Sequence, residues 1–250
     1  MGFCMDPLTV LSQAKSAVIK QQIELLEIFT GCETNNRYHV YITTNSGEFV
    51  YLFKCKEESS WCDKNCCSSE SRPFSMKMRH VNNQADYFAE DYSNYFAIAE
   101  RPFKCTCCYF ERPELTTRNN NAYFGKVTEP FSCCDPIFHV KDANNEVKWK
   151  ITAECCQCGL LCRTRCGVCS EALFPIHSGN KTELDPKNCE GHIKKLSAGI
   201  QELVSDADNF ELVFPVNATP EEKLTLISAV LLIDYRFFED NGKNNRNNRY

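Results

Sequence analysis

Apolar and polar positions alternate along most of this chain, and near its end the alternation stops. Arg37 to Thr44 puts Tyr38, Val40 and Ile42 on one face, and Glu48 to Lys54 returns with Phe49, Tyr51 and Phe53. Two such runs joined by Asn45-Ser46-Gly47 predict a β-hairpin. Ile137 to Lys141, a turn at Asp142-Ala143-Asn144-Asn145, and Glu146 to Ala153 predict a second. Phe74-Met76-Met78, Tyr95 to Ala99, Tyr123 to Thr128 and Ala172 to Ile176 add short strands. Arg-Pro-Phe occurs twice, at 72–74 and 101–103, and hints at related sheet corners. Val18 to Phe29 is ambiguous, because Ile19, Ile23 and Leu26 also suit a helix. Repeated short strands without a dividing Pro/Gly linker favour a closed sandwich or barrel.

From Asp206 the pattern changes to an acidic turn, a short strand and an apolar helix. Thr219-Pro220-Glu221-Glu222 has the form of a capping box with proline at the first helical position. Leu224 to Ile233 carries no charge and only two hydroxyls. A helix that is apolar all round is buried all round, in a core or in lipid. Leu224, Ile227, Val230, Leu231, Ile233 and Phe237 are its candidate burying residues. From Pro220 to Glu239 it spans about 30 Å, yet Asp234 and Arg236 interrupt it, and an intramembrane Asp is costly. A core helix inside a β-barrel is the favoured reading.

At 250 residues the chain has ample core. Its net charge of −5 argues against a general nucleic-acid binder. NGKNNRNNRY at the end reads as a solvated tail. The expected division is a lead segment over 1–16, a domain over 17–240 and a tail over 241–250. The amino end shows no secretory signal, and Asp6 breaks the myristoylation pattern that Met1-Gly2 begins.

Eighteen cysteines are far above ordinary usage. Cys155, Cys156, Cys158, Cys162, Cys166 and Cys169 include Cys166-x-x-Cys169, whereas a strong zinc signature has two well-separated knuckles of that form. Zinc there is the lesser alternative to buried or loop thiols. Lys104-Cys105-Thr106-Cys107-Cys108-Tyr109-Phe110 differs, since adjacent cysteines beside a lysine and aromatics suit S-acylation at a membrane surface. No phosphate loop, nucleophile elbow or zinc-protease motif is present. The histidines at 39, 80, 139, 177 and 192 are scattered and read as structural or surface residues. An enzyme is not the expected class.

Gln21-Gln22-Ile23-Glu24-Leu25-Leu26-Glu27, Thr30-Gly31 and Glu33-Thr34-Asn35-Asn36-x-Tyr38 resemble the phospholipid scramblase family. The similarity continues through Asn65-Cys66-Cys67, Ser71-Arg72-Pro73-Phe74, Glu100-Arg101-Pro102, Asp206-Ala207-Asp208-Asn209-Phe210 and Leu232-Ile233-Asp234-Tyr235-x-Phe237-Phe238-Glu239. It covers about Pro7 to Asp240. The resemblance implies a mainly β (α+β) tubby-like fold, a closed β-barrel of about twelve strands around a hydrophobic C-terminal helix. It places strand at Val18 to Phe29. It implies calcium-dependent, ATP-independent movement of phospholipids between leaflets, with no bond made or broken. The implied partner is the phospholipid membrane, with room for protein partners and no assigned oligomeric state. The implied location is the cytoplasmic face of the plasma membrane.

The family's acylated cysteines fall on Cys105, Cys107 and Cys108 in a shorter run. Its nuclear-import segment falls near Gly191-His192-Ile193-Lys194-Lys195, where two lysines argue against import, and the proline-rich amino extension is missing. Its calcium segment falls on Asp206 to Asn217, giving Asp206, Asp208, Glu211 and Asn217 as candidate ligands. Measured against an EF-hand loop the match is poor: Phe210 sits at position 5, Glu211 replaces the glycine, and Phe214 sits at 9. Phe210, Leu212 and Phe214 alternate as a strand face does, so the segment also reads as a turn feeding a core strand. Any calcium held there is bound weakly. The other functional reading is a membrane-tethered tubby-like module that binds lipid or protein without moving lipid.

Overall fold

The alternation closes on itself. The computed structural model describes residues 5–22, 35–60, 72–104, 112–161, 171–196 and 209–238. Twelve strands form one closed, wholly antiparallel barrel: β1 (Ala14–Gln22), β2 (Arg37–Thr44), β3 (Phe49–Glu58), β4 (Phe74–His80), β5 (Ala97–Arg101), β6 (Glu114–Arg118), β7 (Tyr123–Thr128), β8 (Ile137–Asp142), β9 (Val147–Thr152), β10 (Ala172–Ser178), β11 (Gly191–Leu196) and β12 (Asn209–Val213). Each strand pairs with its sequence neighbours, and β12 returns to β1. Closure leaves no strand edge open to other chains.

Both expected hairpins are present. In the first, Gly47 takes a φ of +85°, a left-handed conformation that glycine adopts without Cβ strain. In the second, the Asp142 carboxylate accepts from the Asn144 and Glu146 amides and fixes the turn. The strand expected at Tyr95 to Ala99 runs instead from Ala97 to Arg101. Strands β6 and β11 give little warning in sequence. Each points few apolar side chains inward, Leu115 in one and Ile193 in the other. The ambiguous amino segment is strand from Ala14 to Gln22, with Ala17 and Ile19 inside; residues 23–29 lie outside the described set.

Among the described residues four α-helices accompany the barrel: α1 (Pro7–Ser12), α2 (Gln84–Phe88), α3 (Cys158–Leu161) and α4 (Pro220–Phe237). The capping box at the start of α4 is formed, with the Thr219 hydroxyl accepting from the Glu222 amide and the Glu222 carboxylate accepting from the Thr219 amide. Such a cap stabilises by about 1 kcal/mol. Every residue from Glu222 to Tyr235 is buried.

The partners of α4 come from around the whole barrel. Tyr38 of β2 donates to Asp234 at 2.5 Å, and Phe74 of β4 stacks on Tyr235 at 4.0 Å. Thr117 of β6 donates to Ser228 at 2.8 Å, and the Trp149 indole of β9 donates to Glu222 at 2.9 Å. Phe138 of β8 and Phe174 of β10 meet Phe237, while Phe210 of β12 meets Phe238. The helix therefore fills the lumen, and this is the burial that its uniformly apolar surface requires. No described helix is long and apolar enough to cross a membrane.

Polar groups on α4 are matched rather than exposed. The Lys223 ammonium donates to the Leu11 and Ala14 carbonyls, tying α1 to the helix, and burial lowers its pKa. Arg236 and Arg112 both pair with Glu129.

Candidate functional site

The acidic segment resolves partly into strand. Phe210 and Leu212 point into the core from β12, and Phe214 is also buried. Glu211 lies on the outer face, opposite Lys194 of β11 and Val18 of β1. Asn217 sits in the exposed turn between β12 and α4. Asp206 and Asp208 lie outside the described residues, as do Cys105, Cys107 and Cys108 in the connection between β5 and β6.

Of the cysteine-rich segment after β9, Cys155, Cys156 and Cys158 are described, and Cys162, Cys166 and Cys169 are not. The Cys155 and Cys156 sulfurs lie 3.7 Å apart, and the Cys155 amide donates to Asp135. The neighbouring Cys156 thiol and the Asp135 carboxylate push the Cys155 thiol up to about 11. Among the described residues no group of three metal-binding side chains comes together.

The helix residues proposed from sequence fall where a core helix puts them. Leu224, Ile227, Val230, Leu231 and Ile233 are fully buried in the lumen, and Phe237 is half-buried against Phe138 and Phe174.

A second polar assembly went unrecognised in the sequence. The two Arg-Pro-Phe copies meet at one end of the barrel, where Phe74 opens β4 opposite Arg101, which closes β5. Arg101 lies over the Phe74 ring and Arg72 over the Tyr235 ring. Arg72 reaches the fully buried Glu57, whose other oxygen accepts from the Asn36 amide. The Asn36 side chain donates to the Tyr235 hydroxyl. An open cleft of about 520 Å³ adjoins this assembly, lined by Asn35, Glu58, Ser59, Ser60, Ser75 and Arg101 among others. The repeated tripeptide was the available signal. Pairing between the copies could be seen only once β4 and β5 were adjacent.

The five histidines lie on five different strands, β2, β4, β8, β10 and β11. Burial lowers the pKa of His39, His80, His139 and His177, with nearby lysines adding to the effect at all but His80. Their folded values lie below the unfolded value of about 6.5. The unfolded chain therefore takes up protons first as pH falls. Stability from this source is retained above about pH 6.5 and declines below it. The thermal midpoint is expected to drop between pH 7.5 and pH 5.5, and His177→Phe, at a fully buried position, is expected to flatten that drop. An unchanged slope in this variant would remove His177 from the account.

Comparison with known proteins supplies what geometry alone does not. Residues 3–240 match the family model described as Scramblase. Phospholipid scramblase 2 of Bos taurus is 32% identical over 241 residues, 94% of this chain and 72% of that protein. Phospholipid scramblase 1 of Homo sapiens is 33% identical over 243 residues, covering 96% and 68%. Phospholipid scramblase 4 of Homo sapiens is 28% identical over 244 residues, covering 96% and 66%. No solved structure matches the chain. A twelve-stranded barrel closed around its own C-terminal helix, matched over nearly its whole length, makes this chain a member of the scramblase family.

Proposed function

We propose that this chain moves phospholipids between the two leaflets of a membrane, triggered by calcium and without ATP or covalent chemistry. The observation that carries the reading is the near-complete match to the Scramblase family, with relatives named phospholipid scramblases at about one-third identity. Acylation at Cys105, Cys107 and Cys108 holds the protein at the cytoplasmic face of the plasma membrane, where two or more chains give firm attachment and one does not. Asp206 and Asp208 lead the calcium ligands, with Glu211 on the adjoining strand as a third carboxylate. With so few carboxylates the affinity falls toward the millimolar end of calcium sites.

Reconstitution tests this directly. In liposomes carrying a fluorescent phospholipid, added calcium is expected to expose inner-leaflet probe to a membrane-impermeant quencher. Asp206→Ala/Asp208→Ala is expected to remove most of the calcium response. No exposure beyond empty vesicles would reject transport, and an unchanged calcium dependence in the double variant would reject these ligands.

The tethered module without transport is the second reading. It is favoured by one feature, the lumen filled by α4, which leaves headgroups no passage through the barrel. Reconstituted protein that binds vesicles and leaves the probe protected is the outcome this reading expects.

A further inference from the structure

The outer wall formed by β7, β8 and β9 has an arrangement that stability does not explain. Along these strands Phe124, Val127, Phe138, Val140, Trp149 and Ile151 point inward. Lys126, His139, Lys141 and Lys150 alternate with them and face outward. In register, Lys126 stands directly opposite Lys141, and His139 directly opposite Lys150. Like charges directly opposite one another across strands are destabilising, and here the Lys126–Lys141 pair stands beside Lys150 on the next strand.

Other lysines are answered by carboxylates, while Lys20 and Lys56 lie over the Tyr41 and Tyr92 rings instead. Lys77 pairs with Glu58, Lys104 with Glu114, Lys148 with Asp142 and Glu146, Lys181 with Glu190, and Lys194 with Glu171. Among the described residues no carboxylate comes within ion-pair range of Lys126 or Lys141, and Lys150 donates instead to the Lys181 carbonyl. The imidazole of His139 is held toward its neutral form by burial and by Lys150 and Lys141. On this wall a chain of net charge −5 thus carries three lysines that no described carboxylate pairs with.

We infer that the Lys126–Lys141–Lys150 wall is a docking surface for anionic phospholipid headgroups at a membrane face. Charge complementarity selects the partner: a cationic wall repels itself until anionic groups cover it, and an anionic lipid surface supplies them. The choice of lipid as partner rests on the function proposed above. Each lysine brought to an anionic bilayer strengthens binding roughly fivefold at physiological salt, so three contribute on the order of a hundredfold. The contribution is screened within a Debye length of about 8 Å.

The test uses the whole chain, unacylated, in chelator so that calcium forms no bridges. Its sedimentation is measured with vesicles of phosphatidylcholine alone and with vesicles containing phosphatidylserine. Lys126→Gln/Lys141→Gln/Lys150→Gln is expected to lose about a hundredfold in affinity for the phosphatidylserine vesicles and to melt no lower than the parent. Arginine at the same three positions is expected to keep binding. Lys15→Gln/Lys20→Gln/Lys56→Gln, on β1 and β3, makes the same change in net charge away from the wall and is expected to bind nearly as the parent does. Equal losses in the two glutamine variants would overturn the surface, because net charge alone would then account for binding. No loss in either would overturn it as well. Lipid transport is scored separately: wall-dependent binding in a protein that moves no lipid supports the surface and sinks the transport reading, whereas transport with wall-independent binding does the reverse.

Discussion

Ending the chain at Thr219 is expected to abolish folding in water, not merely to release the protein from membranes. Leu224, Leu226, Ile227, Val230, Leu231, Leu232 and Ile233 each have no exposed surface. Burial of each such side chain stabilises by about 1.5–3 kcal/mol. Their combined loss, about 10–20 kcal/mol, matches or exceeds the roughly 5–15 kcal/mol by which a whole domain is stable. The remaining strands would enclose an apolar void, which neither water nor collapse of a twelve-stranded ring can fill well. Circular dichroism and sedimentation of the shortened chain are the measurements. A soluble, monodisperse barrel with a cooperative melt would show that α4 is an appendage rather than the core. A graded version is Leu231→Ala, expected to cost about 2–5 kcal/mol through lost contacts and residual cavity.

The second large effect is expected at the end of the barrel where the Arg-Pro-Phe copies meet. Glu57 is fully buried and Arg72 nearly so, with 3% of its surface exposed. Glu57→Ala would remove the carboxylate that faces the buried Arg72 guanidinium and the acceptor of the Asn36 amide. Removing one member of a buried ion pair costs about 3–5 kcal/mol. Replacing both, as Glu57→Leu/Arg72→Met, is expected to recover most of the loss, since the paired charges contribute little net stability beyond apolar residues of like volume. Chemical denaturation of the two single variants and the double variant closes the cycle. Additive losses would mean that the two side chains act independently.

The sequence made the barrel legible where inward positions are large and regularly spaced, as in Tyr38, Val40 and Ile42 or Phe138 and Val140. It did not announce β11, whose Gly191 packs against the Val213 carbonyl and whose only large inward apolar side chain is Ile193. For such a strand the pairing with β10 and β12 decides, not local propensity. The helix was legible in kind because ten uncharged residues have few possible environments. Its partners were not, since Tyr38 and Asp234 lie 196 positions apart. The acidic segment held two readings, and β12 realises the strand from Asn209 to Val213. The cationic wall escaped sequence reading for a further reason. Lys126, Lys141 and Lys150 are unremarkable one at a time and become a surface only through register.

Strict alternation of direction gives the barrel a front and a back. Connections that follow odd-numbered strands all leave from one end, and those that follow even-numbered strands leave from the other. Cys105, Cys107 and Cys108 follow β5, Cys133 and Cys134 follow β7, Cys155, Cys156 and Cys158 follow β9, and α4 also finishes its course through the lumen at that end. Cys133, Cys134, Cys155, Cys156 and Cys158 are spread along the sequence yet share that end of the barrel. Under the proposed acylation of Cys105, Cys107 and Cys108, fatty chains would pull on the end of β5, while adsorption along β7–β9 would lay the cylinder on its side. An attached barrel would then have two geometrically distinct postures, and the lipid charge of the membrane would set the balance between them.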